Sequence, residues 1–189
     1  MVTATAADDA ALIQASLADP ERFAGLFDRY AEEIHRYAGR RLADVAAADD
    51  VTAETFLTAF RKRARYDLSR PDARPWLYGI AANLIARHRR AEVRRLRALA
   101  RLTGDLPEGG EQPFEQTSLD RVEARRLRPR LAAALAALSC AERELFLLVA
   151  WAELSYEQAA EALDIPMGTV RSRLSRTRAK IRRVLEAPR

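Results

Sequence analysis

The sequence predicts an all-α protein of two helical domains joined by a flexible linker, and three observations predict it. Apolar residues recur at three- and four-residue spacing along most of the chain, and no stretch alternates as a half-buried strand would. From Thr103 to Thr117 that periodicity stops, broken by Gly104, Pro107, Gly109, Gly110 and Pro113. Beyond the break, Leu154 to Leu185 reads as helix, tight turn and a second, strongly basic helix. These features place an N-terminal extension with a short helix at 1–19, a first domain at 20–100, a linker at 101–118 and a second domain at 119–189.

The elements follow in order. Residues near 8–18 form a short first helix. Asp19-Pro20 reads as an N-cap followed by proline at the first helical position. The helix it opens runs to about Arg41, with Phe23, Leu26, Phe27, Tyr30, Ile34 and Tyr37 at helical spacing. Asp44 caps a third helix to about Arg65, whose buried side is marked by Val51, Thr55, Phe56, Ala59 and Phe60. Tyr66 to Asp72 is a turn-rich loop. A fourth helix starts near Pro75, with Trp76, Leu77, Ile80, Leu84 and Ile85 as its apolar residues, and runs into a basic stretch. In the small second domain Pro129 marks a boundary or kink, and Ser139 to Glu142 is a Ser-x-x-Glu capping box. It opens a helix carrying Leu145, Phe146, Leu148, Val149 and Trp151.

The final helix pair is the most informative segment. Ser155 caps the first helix, with Gln158 completing a capping box, and Ala159, Ala160 and Leu163 form its apolar face. Asp164-Ile165-Pro166 ends it, because Asp tolerates a left-handed turn and Pro166 cannot continue a helix. The second helix carries Arg171, Arg173, Arg176, Arg178, Lys180, Arg182 and Arg183 without an acidic residue among them. This is the pattern of a helix-turn-helix whose second helix enters the DNA major groove. On a helical wheel Val170, Leu174 and Ile181 share one side, with Leu185 near its edge. Thr169, Ser172, Arg176, Lys180 and Arg183 share the other, and Arg171 and Arg173 lie on the flanks. Thr169, Ser172 and Arg176 are therefore candidates for reading base edges, while Arg171, Arg173, Ser175 and Lys180 are further DNA-contacting candidates.

Composition bounds the partners. The 189 residues carry a formal charge of +5, which suits a polyanion. The charge is uneven: Arg87, Arg89, Arg90, Arg94, Arg95, Arg97 and Arg101 form a second basic run, whereas Asp44, Asp49, Asp50 and Glu54 make an acidic stretch. Opposite signs on separate segments point to one nucleic-acid partner and one protein partner. A single cysteine, Cys140, excludes an internal disulfide, and two distant histidines make a zinc site improbable. No convergent carboxylates, phosphate-binding Gly-rich loop or nucleophile paired with a base suggests an enzyme, so no catalytic residue, metal or cofactor is expected. No apolar run spans a membrane, and the N-terminus lacks signal-peptide character, so a cytoplasmic location is expected.

Three stretches carry a family resemblance: DDVTAETFLTAFRK, then RPWLYGIAANLIARHRR, then LSYEQAAEALDIPMGTVRSRLSRTRAKIRRVL. In this order and at this separation, the chain resembles a bacterial RNA polymerase sigma factor of the extracytoplasmic-function (ECF) class of the sigma-70 family, over 20–100 and 120–185. The resemblance implies a region 2 helical bundle and a region 4 helix-turn-helix, acting in promoter recognition, strand opening and initiation. It implies core RNA polymerase as partner, through the largest-subunit clamp helices and the flap region, together with promoter DNA. An anti-sigma factor is a frequent further partner in the family.

By resemblance, Asp49, Asp50, Glu54 and Phe56 are the core-binding residues; an acidic face with an aromatic anchor also suits a basic partner helix. The segment from Tyr66 to Arg90 resembles the part that opens the minus-ten element. Tyr66 and Asp67 then belong to its specificity loop, Asn83 to a pocket for an extruded base, with Trp76 and Tyr78 either in that pocket or in the core, and Arg87, Arg89 and Arg90 to the phosphate track. The upstream, minus-thirty-five element falls to Thr169, Arg171, Ser172, Arg173, Ser175, Arg176 and Lys180. The sequence departs from the family at Ala53, where Gln is usual, at Gly79 and Ala82, where Arg is common, and at Asp164, where the turn usually has Gly. The competing reading is a helix-turn-helix regulator that acts without core polymerase.

Overall fold

The computed structural model describes residues 8–42, 44–103 and 130–186, and every regular element among them is helical. The chain divides into two compact units, Met1–Arg90 and Ala91–Arg189.

The first unit begins with α1 (Asp9–Ala18), capped by Asp8, whose carboxylate accepts from the Ala10 N–H at 3.1 Å. A 3-10 turn (Pro20–Phe23) then leads into α2 (Ala24–Gly39). Asp19 stands at the N-cap with Pro20 after it, as expected, but its side chain makes no cap bond. The Asp19 carboxylate takes the Arg22 guanidinium at 3.2 Å, while the Arg22 N–H bonds the Asp19 carbonyl at 3.1 Å, so the first turn winds tightly. Asp44 does cap α3 (Val45–Lys62), accepting from Ala46 N–H at 3.0 Å. That helix ends in a second 3-10 turn, Arg63–Arg65. The last helix of the unit, α4 (Arg74–Thr103), starts where Asp72 accepts from the Arg74 N–H at 2.9 Å. It stays helical through Thr103, so the first three residues assigned to the linker belong to it; the rest of that linker and Pro129 lie outside the described residues.

Ile13, Leu26, Ile34, Val51, Phe56, Leu77 and Ile85 fill the first core. Thr52 and Thr55 enter it because their hydroxyls bond the Ala48 and Val51 carbonyls at 2.7 and 2.6 Å. Two edge-to-face ring pairs, Phe23–Phe60 and Tyr37–Tyr78, add contacts with geometry that favours attraction. A buried acid, Asp9, also sits here. It bonds the Arg29 guanidinium at 2.7 Å, the Tyr30 hydroxyl at 2.6 Å and the Ala73 N–H at 2.9 Å.

The second unit has helical residues 130–136 (α5), α6 (Cys140–Ala150), α7 (Tyr156–Leu163) and α8 (Met167–Glu186). Both expected capping boxes form completely, Ser139 with Glu142 and Ser155 with Gln158. Ala134, Leu138, Leu145, Leu148, Val170, Leu174 and Ile181 make the core. Two expectations shift by a residue or so: α7 buries Ala159 and Ala162 rather than Ala160 and Leu163, and α6 buries Leu147 while Trp151 stays exposed. Arg143 is buried although charged. Its guanidinium donates to the carbonyls of Leu135, Ala136 and Leu138 at 2.9, 3.2 and 3.3 Å, serving carbonyls at the end of α5 that the helix leaves open. Among the described residues no helix is long and apolar enough to cross a membrane, and no group of His, Cys, Asp and Glu has metal-site geometry.

Candidate nucleic-acid and protein interfaces

The roll of α8 is set by its buried stripe: Val170, Leu174, Thr177 and Ile181 all face the core. Burying Val170, Leu174 and Ile181 stabilises each of those positions by about 1.5–3 kcal/mol relative to exposure, so the helix cannot easily rotate. The sequence reading missed Thr177, which closes the stripe at i+3 from Leu174. The turn that aims α8 rests on Asp164, held in the left-handed region at φ 51°. With the stripe fixed, Ser172, Ser175 and Arg176 are exposed and Thr169 and Arg173 half-buried. Arg176 leans back on the Ser172 carbonyl at 3.4 Å, a weak contact that leaves its guanidinium in solvent. On one flank, Arg171, Ser175, Arg178, Ala179 and Arg182 line an open cleft against Tyr156, with the Arg178 guanidinium 6.0 Å from the Tyr156 ring centre.

Lys180 makes an ion pair with α6. Its ammonium is held by both carboxylate oxygens of Glu142, at 2.8 and 2.9 Å. Glu142 is the closing residue of the α6 capping box, and Lys180, then the Ser139 amide and hydroxyl, hold its carboxyl down to about 2. Lys180 is thus paired within the chain, with its side chain 48% exposed.

In the first unit the loop 66–72 is closed on itself. The Tyr66 hydroxyl donates to the Arg70 carbonyl at 2.8 Å and sits 3.2 Å from the Asp72 carbonyl, and its ring lies 4.9 Å from Trp76. Asp67 accepts from the Ser69 hydroxyl at 2.7 Å, its amide at 3.1 Å and the Arg70 guanidinium at 3.2 Å; these bonds, Ser69's first, hold its carboxyl below the ordinary range. Tyr66 and Tyr78 are both buried, so neither presents a ring to an extruded base. Their aromatic area is taken by packing, Tyr78 against Tyr37 and Tyr66 against Trp76. Burial, with the Glu33 carboxylate next in effect, drives the Tyr78 phenol's pKa upward, so it stays protonated. Arg89 is half-buried and donates to the Arg41 carbonyl at 2.9 Å. Asn83, Arg87 and Arg90 are exposed at i, i+4 and i+7, which places them on one face of α4. Gly79 and Ala82, where the family commonly has Arg, are buried, so neither departure subtracts charge from that open face.

The acidic surface lies on α3, with Asp49, Asp50 and Glu54 exposed. Asp49 pairs with His35 Nε2 at 2.8 Å, and Glu54 lies 3.9 Å from Arg61. Phe56, placed by its spacing on the buried side of α3, is 5% exposed and packs edge-on against Phe27, which is 47% exposed. Leu57, 42% exposed, follows Asp50 and Glu54 on the outer face of α3. The aromatic group facing solvent beside the acidic residues is therefore Phe27, supplied by α2. No local pattern could reveal it, because Phe27 shares the helical spacing of its buried neighbours.

Comparison with known proteins adds to this geometry. Residues 26–95 match the family Sigma-70 region 2, and residues 128–181 match the family Sigma-70, region 4. The chain is 33% identical over 183 residues to the ECF RNA polymerase sigma factor SigC of Mycobacterium tuberculosis, covering 94% of this chain and 92% of SigC. It is 36% identical over 174 residues to SigL of the same species, covering 92% and 88%. Among solved structures it is similar to CnrH in complex with the cytosolic domain of CnrY, with a TM-score of 0.64, 26% identity, and coverage of 96% of this chain and 99% of that one.

Proposed function

This chain belongs to the sigma-70 family of RNA polymerase sigma factors, in its ECF class, and from that premise we propose how its residues divide the work of starting transcription. It binds core RNA polymerase and directs it to promoters; it is a DNA-binding subunit and not an enzyme. The first domain, 20–100, takes core polymerase and the minus-ten element, and the second, 119–189, takes the minus-thirty-five element.

The observation that carries the residue assignment is the locked roll of α8, whose buried stripe turns Ser172 and Arg176 outward. Arg176 is suited to bidentate contact with guanine, Ser172 to a less selective contact, and Thr169 completes the reading set. Arg171, Arg173 and Ser175 flank them and hold phosphates. In the first domain, Asn83 and the half-buried Trp76 meet the extruded base beside the loop containing Asp67, while Arg87 and Arg90 follow the strand. Asp49, Asp50 and Glu54, together with Phe27 and Leu57, meet the clamp helices, joining complementary charge to an apolar centre. This reading includes an anti-sigma factor as a further partner, and a cytoplasmic site of action.

The test is transcription in vitro by core polymerase with the chain, over a promoter library randomised at both elements. Enrichment of two separate elements, one altered by changes at Ser172 and Arg176 and the other by changes at Asn83 and Trp76, is expected. Equal output with and without the chain would reject the reading.

A further inference from the structure

Helix α1 touches both feet of the loop 66–72. At its start, the Asp9 N–H donates to the Pro71 carbonyl at 3.0 Å, and the Asp9 carboxylate accepts from the Ala73 N–H at 2.9 Å. At its far end, the Ser16 carbonyl accepts from Arg63 Nε at 3.3 Å. Arg63 stands three residues before Tyr66, in the 3-10 turn that leads into the loop, and Ala73 directly precedes α4. The loop therefore leaves and re-enters the fold at two points joined by a ten-residue helix.

Both attachments are built strongly. Asp9 is 2% exposed, and its carboxylate ties two parts of the fold together: Arg29 and Tyr30 in α2, and Ala73 at the loop's exit. A buried carboxylate is costly unless paired, and here it is matched by a guanidinium, a hydroxyl and an amide, which fixes its position closely. The Tyr30 phenol, desolvated and donating to Asp9, has its pKa driven upward and so remains a donor. At the other foot, the Arg63 side chain is itself oriented. Its Nη1 donates to the Phe60 carbonyl at 2.6 Å and its guanidinium carbon lies 3.7 Å above the Phe60 ring centre.

We propose that α1 is a brace that sets the shape of the loop 66–72, with Asp9 and Arg63 as positioning residues for recognition of the minus-ten element. The inference rests on the reading that this loop discriminates an extruded base. Neither residue touches DNA in it; each acts by fixing where the loop begins and ends. The internal bonds of Tyr66 and Asp67 close the loop on itself, the Tyr66 hydroxyl reaching the Asp72 carbonyl at its far end; α1 adds an anchor outside the loop at each foot.

The experiment uses the full chain with core polymerase and a library randomised separately at the two promoter elements. Three variants are compared: Asp9→Asn, Arg63→Met and, within the loop, Asp67→Ala. Binding to core and helical circular dichroism serve as controls for folding. Discrimination between the best and singly altered minus-ten elements should fall on the order of threefold or more with Asp9→Asn, a measurable part of the usual energy of one base pair. Arg63→Met should relax the same positions, and preference at the minus-thirty-five element should stay unchanged for both. A purely structural role would instead lower output from all promoters alike, leaving the ranking intact, and would overturn the proposal. If Asp67→Ala shifts minus-ten preference while Asp9→Asn and Arg63→Met do not, the loop reads DNA but the brace is wrong. If none of the three shifts it, the reading of the loop fails and takes the brace with it. Should Asp9→Asn fail to fold, Arg63→Met alone decides between these outcomes.

Discussion

Replacing Glu142 by Gln should have two effects that are measured separately. The wild-type carboxylate accepts from Lys180 twice, from the Ser139 hydroxyl at 2.9 Å and from the Ser139 amide at 3.0 Å. Those bonds bring its pKa from 4.5 to about 2. Taken at face value, that shift is on the order of 3 kcal/mol. The Lys180 side chain is 48% exposed, however, and solvent screening reduces the net contribution to about 1 kcal/mol. Gln keeps an acceptor for Ser139 but loses the charge, so the α6–α8 packing should weaken by about 1 kcal/mol at neutral pH. Because the folded pKa is depressed, this stability is fully present above the unfolded pKa of 4.5 and is lost as pH falls toward 2. The difference between wild type and variant should close across that window. Hydrogen exchange of the α6 and α8 amides in the full chain measures it.

The second effect concerns DNA. Lys180 released from Glu142 becomes available to a phosphate, so the salt dependence of holoenzyme binding to a promoter fragment should steepen by about 0.9 in log–log slope. Lys180→Met in the wild-type background should leave that slope unchanged. Anisotropy titrations over a range of salt concentrations read both values. A slope that falls by about one with Lys180→Met, and does not change with Glu142→Gln, would show that Lys180 already leaves Glu142 when DNA binds.

Four further outcomes are expected. Asp164→Gly should stabilise the second unit by about 0.5–1 kcal/mol, because the residue sits at φ 51° where a side chain is strained; thermal melting in comparison with wild type checks this. Asp50→Lys with Glu54→Lys should abolish capture by immobilised core polymerase without changing helical circular dichroism. Phe27→Ala should weaken capture while the fold survives, whereas Phe56→Ala should cost about 3–5 kcal/mol of stability, since only Phe56 is buried. Arg176→Ala should cost about 1–3 kcal/mol and relax preference at one upstream position, while Arg171→Ala weakens all sequences alike, both read in promoter-library transcription.

Local chemistry was legible along the chain. Capping boxes at Ser139 and Ser155, the Asp44 cap, the left-handed Asp164 and the buried stripe of α8 all depend on residues within a turn or two of one another. Hydrogen-bond geometry and helical period set them, so spacing alone reveals them. Asp19 is the instructive exception: its carboxylate had two short-range choices, the backbone or Arg22, and the guanidinium took it.

What only the tertiary structure decided is which of several equivalent residues faces out and which distant charges meet. Phe27 and Phe56 have the same chemistry, and packing between α2 and α3 buries one beneath the other. Tyr66 and Tyr78 could have met a base, yet each found a ring to pack against. Lys180 and Glu142 stand 38 residues apart, and Asp9 and Ala73 stand 64 apart. No period or motif links such positions. Their pairing follows from the way helices close on a core, where a buried polar group must find a partner wherever the fold brings one within reach.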